Sequence, residues 1–509
     1  MPIVEDFGFC GPTYAGLPSG VGGMSTVFDA ERCVNLYPER AQRTGNPKSS
    51  MALVGRPGYS LFATVNSPIR AIWGGNNRLF AVGGTHFYEF NTNGTVHTDY
   101  GAMAGSSGIG PCQVMSNGNQ LLVMDPSVTH GGSINGSIFN ANPGGPNMVS
   151  VFNGGALAFM DGFYIAINSS SGLSYPNQVN VSNLLDGTTW NSLNFIQRTG
   201  AADLLWQLET LQGQLWMFGQ KSIEVWYDAG NPTFPFARIQ GATINLGLLA
   251  QFSVVKFYNT LCWLGADDHG YAAVYMASGL SPVKISTPAV EYILNNAGQQ
   301  SAQTGTTAYG YEEGGHMFYC LNLSYAPNYN GTQGTTLVYD LTEGLWHERN
   351  YLTPGTGVVT QHRANCVACV PDFAANGGIF IGDYNSGNIY VQNLGFTADN
   401  SNPILYKRRA PHVANRNRWV KYPSLELDCD IGSAQAVLSY SNDGGRTFTH
   451  SRAAQGTVTP SGNSDQIPKL KWWQLGRSRD RVFDVTITDS SHPIRLVNAY
   501  LNAVPGTEP

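Results

Sequence analysis

Leu215-Trp216-Met217-Phe218-Gly219, then Gln220-Lys221-Ser222, then Ile223-Glu224-Val225-Trp226-Tyr227 is the stretch whose reading decides the fold. A short apolar-aromatic run closed by glycine, a polar break and a second such run describe two strands around a tight turn. The first half of this unit recurs along the chain: Leu79–Gly83, Leu121–Asp125, Phe163–Asn168, Leu261–Gly265, His316–Cys320 and Ile379–Asp383. Second strands follow at Phe87–Phe90, Ala273–Met276 and Asn388–Val391. Start-to-start steps are 42, 42, 52, 46, 55 and 63 residues. Strand, turn, strand at this period is the trace of a β-propeller, whose small sheets cover their faces only by stacking radially on one another. The expected fold is all-β: an irregular six- or seven-bladed propeller over 62–400, after an extended or loop-like segment, 1–61.

Composition agrees. Charged residues are 12% of 509, about half the usual globular share, while glycine reaches 60 and aromatics 11%. Such a chain suits short strands and turns rather than long solvated helices. One helix is legible: Thr287 as N-cap, Pro288 at the first turn, and an apolar face ending near Gly298. Its single face implies packing on the propeller rim. Beyond residue 400 the pattern changes to period-2 strands, Leu425–Asp430, Ala436–Tyr440 and Val482–Ile487, which imply a C-terminal β-sandwich over 401–509. A pair of sandwiches is the competing architecture for the whole chain.

The net charge of −6 is uneven. Residues 1–400 carry 14 Lys+Arg and 25 Asp+Glu (−11), and 401–509 carry 14 and 9 (+5). An acidic body argues against a general nucleic-acid binder, which concentrates basic charge, and is compatible with a smooth lumen that a polyanion slides past. The basic connector, Lys407, Arg408, Arg409, Arg416, Arg418 and Lys421, reads either as a partner contact or as a solvated surface. Trp472, Trp473, Arg477 and Arg479 are residue types that dominate interface hot spots, or a sandwich core with flanking ions.

The eight cysteines are scattered, as in proteins folding in a reducing cytosol. Cys366 and Cys369 form the one close pair, and the alternation around them reads as a buried strand rather than a zinc site. The start, MPIVEDFGFCGP, lacks a Sec signal pattern, and no stretch has the apolar length of a membrane helix. Ser441–Phe448 matches the aspartate-box turn of sialidases, where the motif is structural. Asp267-Asp268-His269-Gly270 and Glu312-Glu313-Gly314-Gly315 read as turns, since consecutive residues point apart. No hydrolase, zinc-protease or phosphate-loop motif is present, so the expectation is a non-enzyme with no catalytic, cofactor or metal residues.

Several stretches resemble the packaged-DNA stabilisation (tail hub or nozzle) family of short-tailed bacteriophages. These are Cys33–Glu39, Gly55–Tyr59, patches of Leu215–Leu294 such as Phe218-Gly219, Ser222–Trp226 and Trp263–Gly265, and Leu475–Phe483 with the Ser441–Phe448 turn. The resemblance implies a virion protein of the tail, assembled in the host cytoplasm. It implies a homo-hexamer below the head-to-tail adaptor that closes the DNA exit channel and carries a tail needle or plug and tailspike or fibre proteins. DNA would pass its lumen without specific binding, and no membrane is involved. The alternative from another class is a propeller glycan-binding protein or sialidase-like glycoside hydrolase, marked by several Arg, a Tyr and two carboxylates around a central cavity.

Overall fold

The computed structural model describes residues 3–5, 7–11, 30–40, 51–103, 106–125, 136–140, 149–150, 154–168, 177–201, 203–267, 269–296, 299–328, 331–375, 377–448, 450–454, 456–458 and 469–506. These residues are nearly all-β, with 62% of them in strands and 4% in helices.

Among these residues seven antiparallel meanders follow one another along the chain. The first runs Ile69–Gly75, Arg78–Gly83, His86–Phe90, Val96–Ala102, and the second begins at Gln113–Ser116. The third and fourth begin at Gly154–Met160 and Leu205–Leu211. In the fifth, Gly247–Leu248 and Val255–Lys256 both pair with Leu261–Ala266. The sixth runs Thr306–Glu313, His316–Pro327, Gln333–Asp340, Leu345–Leu352, and the seventh begins Ala364–Ala374, Gly377–Asp383, Asn388–Gln392. The first strand of each sheet contacts the first strand of the next, except that the fifth sheet makes both contacts through Val255–Lys256, and Ala364–Ala374 contacts Ile69–Gly75, so the succession closes on itself.

Each of the seven apolar runs read from sequence is the second strand of its sheet. Such a strand is paired on both edges and covered on both faces by neighbouring sheets, so it is apolar throughout rather than alternating. Leu215, Trp216, Met217 and Phe218 are fully buried, two on each side, in two separate clusters.

The seventh sheet takes its fourth strand from far upstream: Tyr59–Thr64 pairs antiparallel with Asn388–Gln392, Tyr59 opposite Gln392. The boundary drawn at 61/62 falls inside this strand. More of the first sixty residues is also built in than weak periodicity suggests. Arg32–Val34 pairs parallel to Leu345–Leu352 and antiparallel to Ile404–Arg409, so the sixth sheet continues across 400/401 into Asp480–Asp489 and Ala436–Ser441. Leu36–Arg40 and Met51–Gly55 join a second sheet with Arg495–Pro505, Val420–Asp430 and Lys469–Trp473. Between the two sheets lies one apolar cluster, with Tyr406, Leu438, Phe483 and Val485 from one and Leu425, Leu427, Trp472 and Leu496 from the other.

The helix spans Pro288–Asn296, with the Val290 amide 3.5 Å from Thr287 Oγ1. Val290, Ile293 and Leu294 pack between the fifth and sixth sheets. A short helix, Gln299–Thr304, follows it, for which the sequence carries no apolar stripe.

Candidate functional site

The most elaborate polar assembly lies where the N-terminal segment, the sixth sheet and residue 399 meet. Asn35 sits between two strands with φ 57, a conformation asparagine tolerates better than most residues. Its amide donates to the carbonyls of Asn350 (3.1 Å) and Leu405 (2.7 Å), and its Oδ1 accepts from the Asn350 amide (2.9 Å) and Arg56 Nε (2.9 Å). Arg56 then grips Asp399 with both terminal nitrogens, at 2.8 and 2.6 Å, and both side chains are 1% exposed. A bidentate pair this deep excludes solvent and admits a single register. Gly58 is required by proximity: a Cβ there would stand 2.2 Å from the Ala398 carbonyl. Beside it the buried Arg32 donates to Glu348 at 2.5 Å. The N-terminal stretches that resemble the phage family are thus the residues that lock the chain's start to both halves of the fold. Asn35, Arg56 and Asp399 carried no signal as a set, because they converge only in three dimensions. Gly-Arg-Pro-Gly around Arg56 is the one local cue, a stiff, crowded backbone around a single charge.

The middle stretch has a similar explanation. Arg198 is fully buried and reaches Asp203 (3.2 Å) and Glu224 (3.1 Å), while Asp203 accepts the amides of Lys221 (2.8 Å) and Ser222 (3.0 Å). These contacts join the third sheet to the fourth. Arg70 and Asp125 do the same between the first and second.

The candidate partner-contact residues divide. Lys407 and Arg409 both pair with Asp484, at 2.7 and 3.0 Å, and burial pushes the Lys407 amine down against the pull of that carboxylate. Arg408 is fully buried and donates to the Phe9 carbonyl (2.5 Å) and to Glu31 (2.8 Å). Trp472 is fully buried, its indole N–H on the Arg452 carbonyl at 3.2 Å. Arg408 and Arg409 are thus buried rather than on a wet surface and Lys407 is half-buried, all three on a strand paired along both edges, while Trp472 lies in the apolar core, the second of the two readings offered for it. Arg416, Arg418, Lys421, Arg477 and Arg479 are exposed, and Trp473 is 40% exposed. The structure brings Arg477 and Arg479 from a distant strand to Trp419, which stands in the chain between Arg416 and Arg418 on one side and Lys421 on the other. Arg477 and Arg479 lie over its ring at 4.9 and 5.3 Å, and Lys421 stands opposite Arg477 in the paired strands.

The motifs weighed as chemistry resolve into architecture. Asp443 accepts from Ser441 Oγ (2.5 Å), Thr447 Oγ1 (2.6 Å) and the amides of Arg446 (3.1 Å) and Thr447 (2.9 Å). Slight burial opposes its charge, but these donors win and hold its carboxyl down to about 2. Asp267 accepts the amides of His269 (3.0 Å) and Tyr271 (2.8 Å), closing a turn; Asp268 lies outside the described residues, as does Gly298. Cys366 and Cys369 lie three apart in Ala364–Ala374, so they point to opposite faces and do not converge on one ion. Desolvation lifts the Cys366 thiol to about 12. Arg349 comes nearest to a glycosidase-like grouping: it bonds the Tyr311 hydroxyl and lies 4.6 Å over the Phe318 ring. It is only 1% exposed, so no glycan reaches it. The first and second sheets leave a groove beside Trp73, Arg78 and Asn119, with about 100 Å³ of space.

A closed succession of antiparallel meanders, with the N-terminal segment tied in by buried polar contacts, is the arrangement of a β-propeller. The family model described as "Bacteriophage P22 Gp10, beta-propeller" matches residues 20–393, and the chain belongs to that family of phage tail-associated β-propellers. A comparison with curated proteins gives no match. Among solved structures, the Neurospora crassa Pan2 WD40 domain is similar at 10% identity and TM-score 0.40, covering 67% of this chain and 96% of that one. The computationally designed Ika8 protein gives 11% and 0.38, covering 65% and 99%. An exo-beta-1,3-galactanase from Phanerochaete chrysosporium gives 9% and 0.28, covering 77% and 95%. At these scores the likenesses carry no argument about activity.

Proposed function

We propose that the protein is the tail hub, or nozzle, of a short-tailed phage: a non-enzymatic virion component that closes the DNA exit channel after packaging. Membership of the phage propeller family over residues 20–393 is the observation that carries this reading. The reading takes the seven meanders as seven blades, residues 62–400 as the propeller body and 401–509 as a C-terminal β-sandwich, with the N-terminal segment stitching the two. A body whose last blade is completed by Tyr59–Thr64, the strand that runs directly into the first blade, and whose blades are bridged by buried ion pairs, resists outward force because no blade can move alone. The hub works as a homo-hexamer assembled in the host cytoplasm. It docks to the head-to-tail adaptor, carries the needle or plug and the tailspike or fibre proteins, and lets DNA pass its lumen without specific binding.

The test is averaging of intact virion images labelled with an antibody to this protein. Label at the tail immediately below the head, with sixfold averages, is the expected result. Label on peripheral fibres, or virions without label, overturns it.

A further inference from the structure

Ion pairing inside the molecule leaves charge of opposite sign on its two parts. Five of the seven described carboxylates of the C-terminal part lie against a cation or an imidazole: Asp484 by Lys407 and Arg409, Glu426 by Lys471, Asp428 by Lys469, Asp480 by His412, and Asp430 by His492 and Arg495, while Asp443 and Asp489 are held by hydrogen bonds of their own turns. Among the described residues, Arg416, Arg418, Lys421 and Arg477 have no carboxylate within 4.0 Å, and all four are exposed. On the meanders the excess is acidic: among the described residues Asp161, Asp228, Asp267, Glu312 and Asp372 are exposed with no cation within 4.0 Å, against the exposed Lys221, Arg238 and Lys256.

We infer that the cluster around Trp419 is a docking surface for the acid-bearing meander surface of a second copy of this chain, an inference that rests on the assembly proposed above. Trp419 fixes the guanidiniums of Arg477 and Arg479 by its ring, which removes part of the side-chain entropy cost of binding and leaves N–H edges for carboxylates. Arg416 and Arg418, both exposed, belong to the tight turn that leads into Trp419, with Arg416 and Asn417 at positive φ and Arg418 N bonded to the Asn415 carbonyl at 2.8 Å. A polyanion such as DNA fits less well. Trp419 is already occupied by cations rather than offered to a base, and the −11 of residues 1–400 repels phosphate. Complementary patches of this kind set association rate and register, and they weaken with salt.

The experiment uses the full chain, mixing unlabelled and 15N-labelled copies and joining lysine to carboxylate with a zero-length carbodiimide. Lys421 coupled across isotopes to an acid within residues 1–400 is the expected product. In parallel, native mass spectrometry compares wild type with R416E/R418E, two exposed changes outside the cores. The concentration for half-assembly rises at least tenfold in the variant, and 0.5 M salt weakens wild type in the same direction. Assembly unchanged in the variant, with no Lys421 cross-link, overturns the inference and leaves the hub reading intact. A wild type that remains monomeric at every concentration overturns both. Loss of oligonucleotide binding in the variant, with assembly untouched, assigns the surface to nucleic acid and overturns it as well.

Discussion

The two flanks of the sixth sheet are held by opposite means. Toward the fifth sheet it presents Tyr319, Leu321, Leu337 and Trp346 to Cys262, Leu264, Val274 and the helix residues Val290 and Ile293. The polar tips there find carbonyls, Tyr319 on Ser253 and Trp346 on Ile285, each at 2.8 Å. Toward the seventh sheet the same strands present Tyr309, Tyr311 and Phe318, with the buried cation Arg349, the buried imidazoles His347 and His362, and the Arg56–Asp399 pair nearby. The first contact gains with every apolar area buried and accepts small shifts. The second is conditional, because a buried charge displaced from its partner is costly in any other arrangement. That is where three segments distant in sequence must meet, and the polar set is what makes their meeting unique.

The largest expected effect breaks the polar flank. Arg56→Leu leaves Asp399 buried without its cation and costs about 4 kcal/mol of unfolding free energy in denaturant titration. R56L/D399L costs less than R56L alone, since no charge is stranded. If the double variant is the worse of the two, the pair contributes net attraction and the polar flank is adhesive rather than selective. On the apolar flank, Leu321→Ala opens a cavity and costs about 3 kcal/mol. There the loss follows size, so Leu321→Met costs about 1 kcal/mol or less.

How legible each flank was follows from the same contrast. The apolar run His316–Cys320 announced its strand, as did Leu215–Gly219 and the other five, because a doubly covered strand writes its burial into consecutive residues. Thr287-Pro288 announced the helix because capping is local. Arg32–Val34 was invisible: it is three residues long, and its partners lie more than 300 residues downstream. Lys407-Arg408-Arg409 misled for a physical reason. A run of cations resembles a wet surface unless its acids, Glu31 and Asp484, are known to arrive from elsewhere. The exposed half of the same region, Arg416 to Lys421 with Arg477 and Arg479, was legible as basic, but its centre at Trp419 depends on a strand pairing that no local pattern reveals.

Acid separates the flanks next. Burial, with Arg349 and His316 adding to it, holds His347 well below the ordinary histidine range, and burial with Arg56 and Arg349 does so for His362. The unfolded chain takes up these protons near pH 6.5 while the folded one does not, so stability falls as pH drops below about 6.5, by up to about 1.4 kcal/mol per pH unit for each ring. His316 acts oppositely: its bond to Asp340 raises its proton affinity, giving stability that is full below about 6.5 and fades as pH rises through the raised value. Two losses outweigh one gain on acidification. His347→Phe, which keeps a ring near Phe318, removes about half of the acid slope between pH 6.5 and 5.5. A slope unchanged in that variant means that the acid response resides in some other group.

The smallest effect tests whether hydrogen-bond number or burial makes the polar flank decisive. Asp443 accepts four hydrogen bonds, nearly as many as the five Arg56 donates in the buried junction, yet it stands on an exposed turn. Water replaces lost partners there and screens the charge, so Asp443→Ala costs about 1 kcal/mol, well short of Arg56→Leu. Its carboxyl is held at about 2, below the ordinary 3.8, so its contribution is complete above about pH 4 and disappears as pH falls toward 2. Asp443→Asn keeps the amide-accepting oxygen and recovers part of the loss. A cost equal to that of Arg56→Leu would show that counting bonds is enough, and the distinction between the flanks drawn from burial would fall.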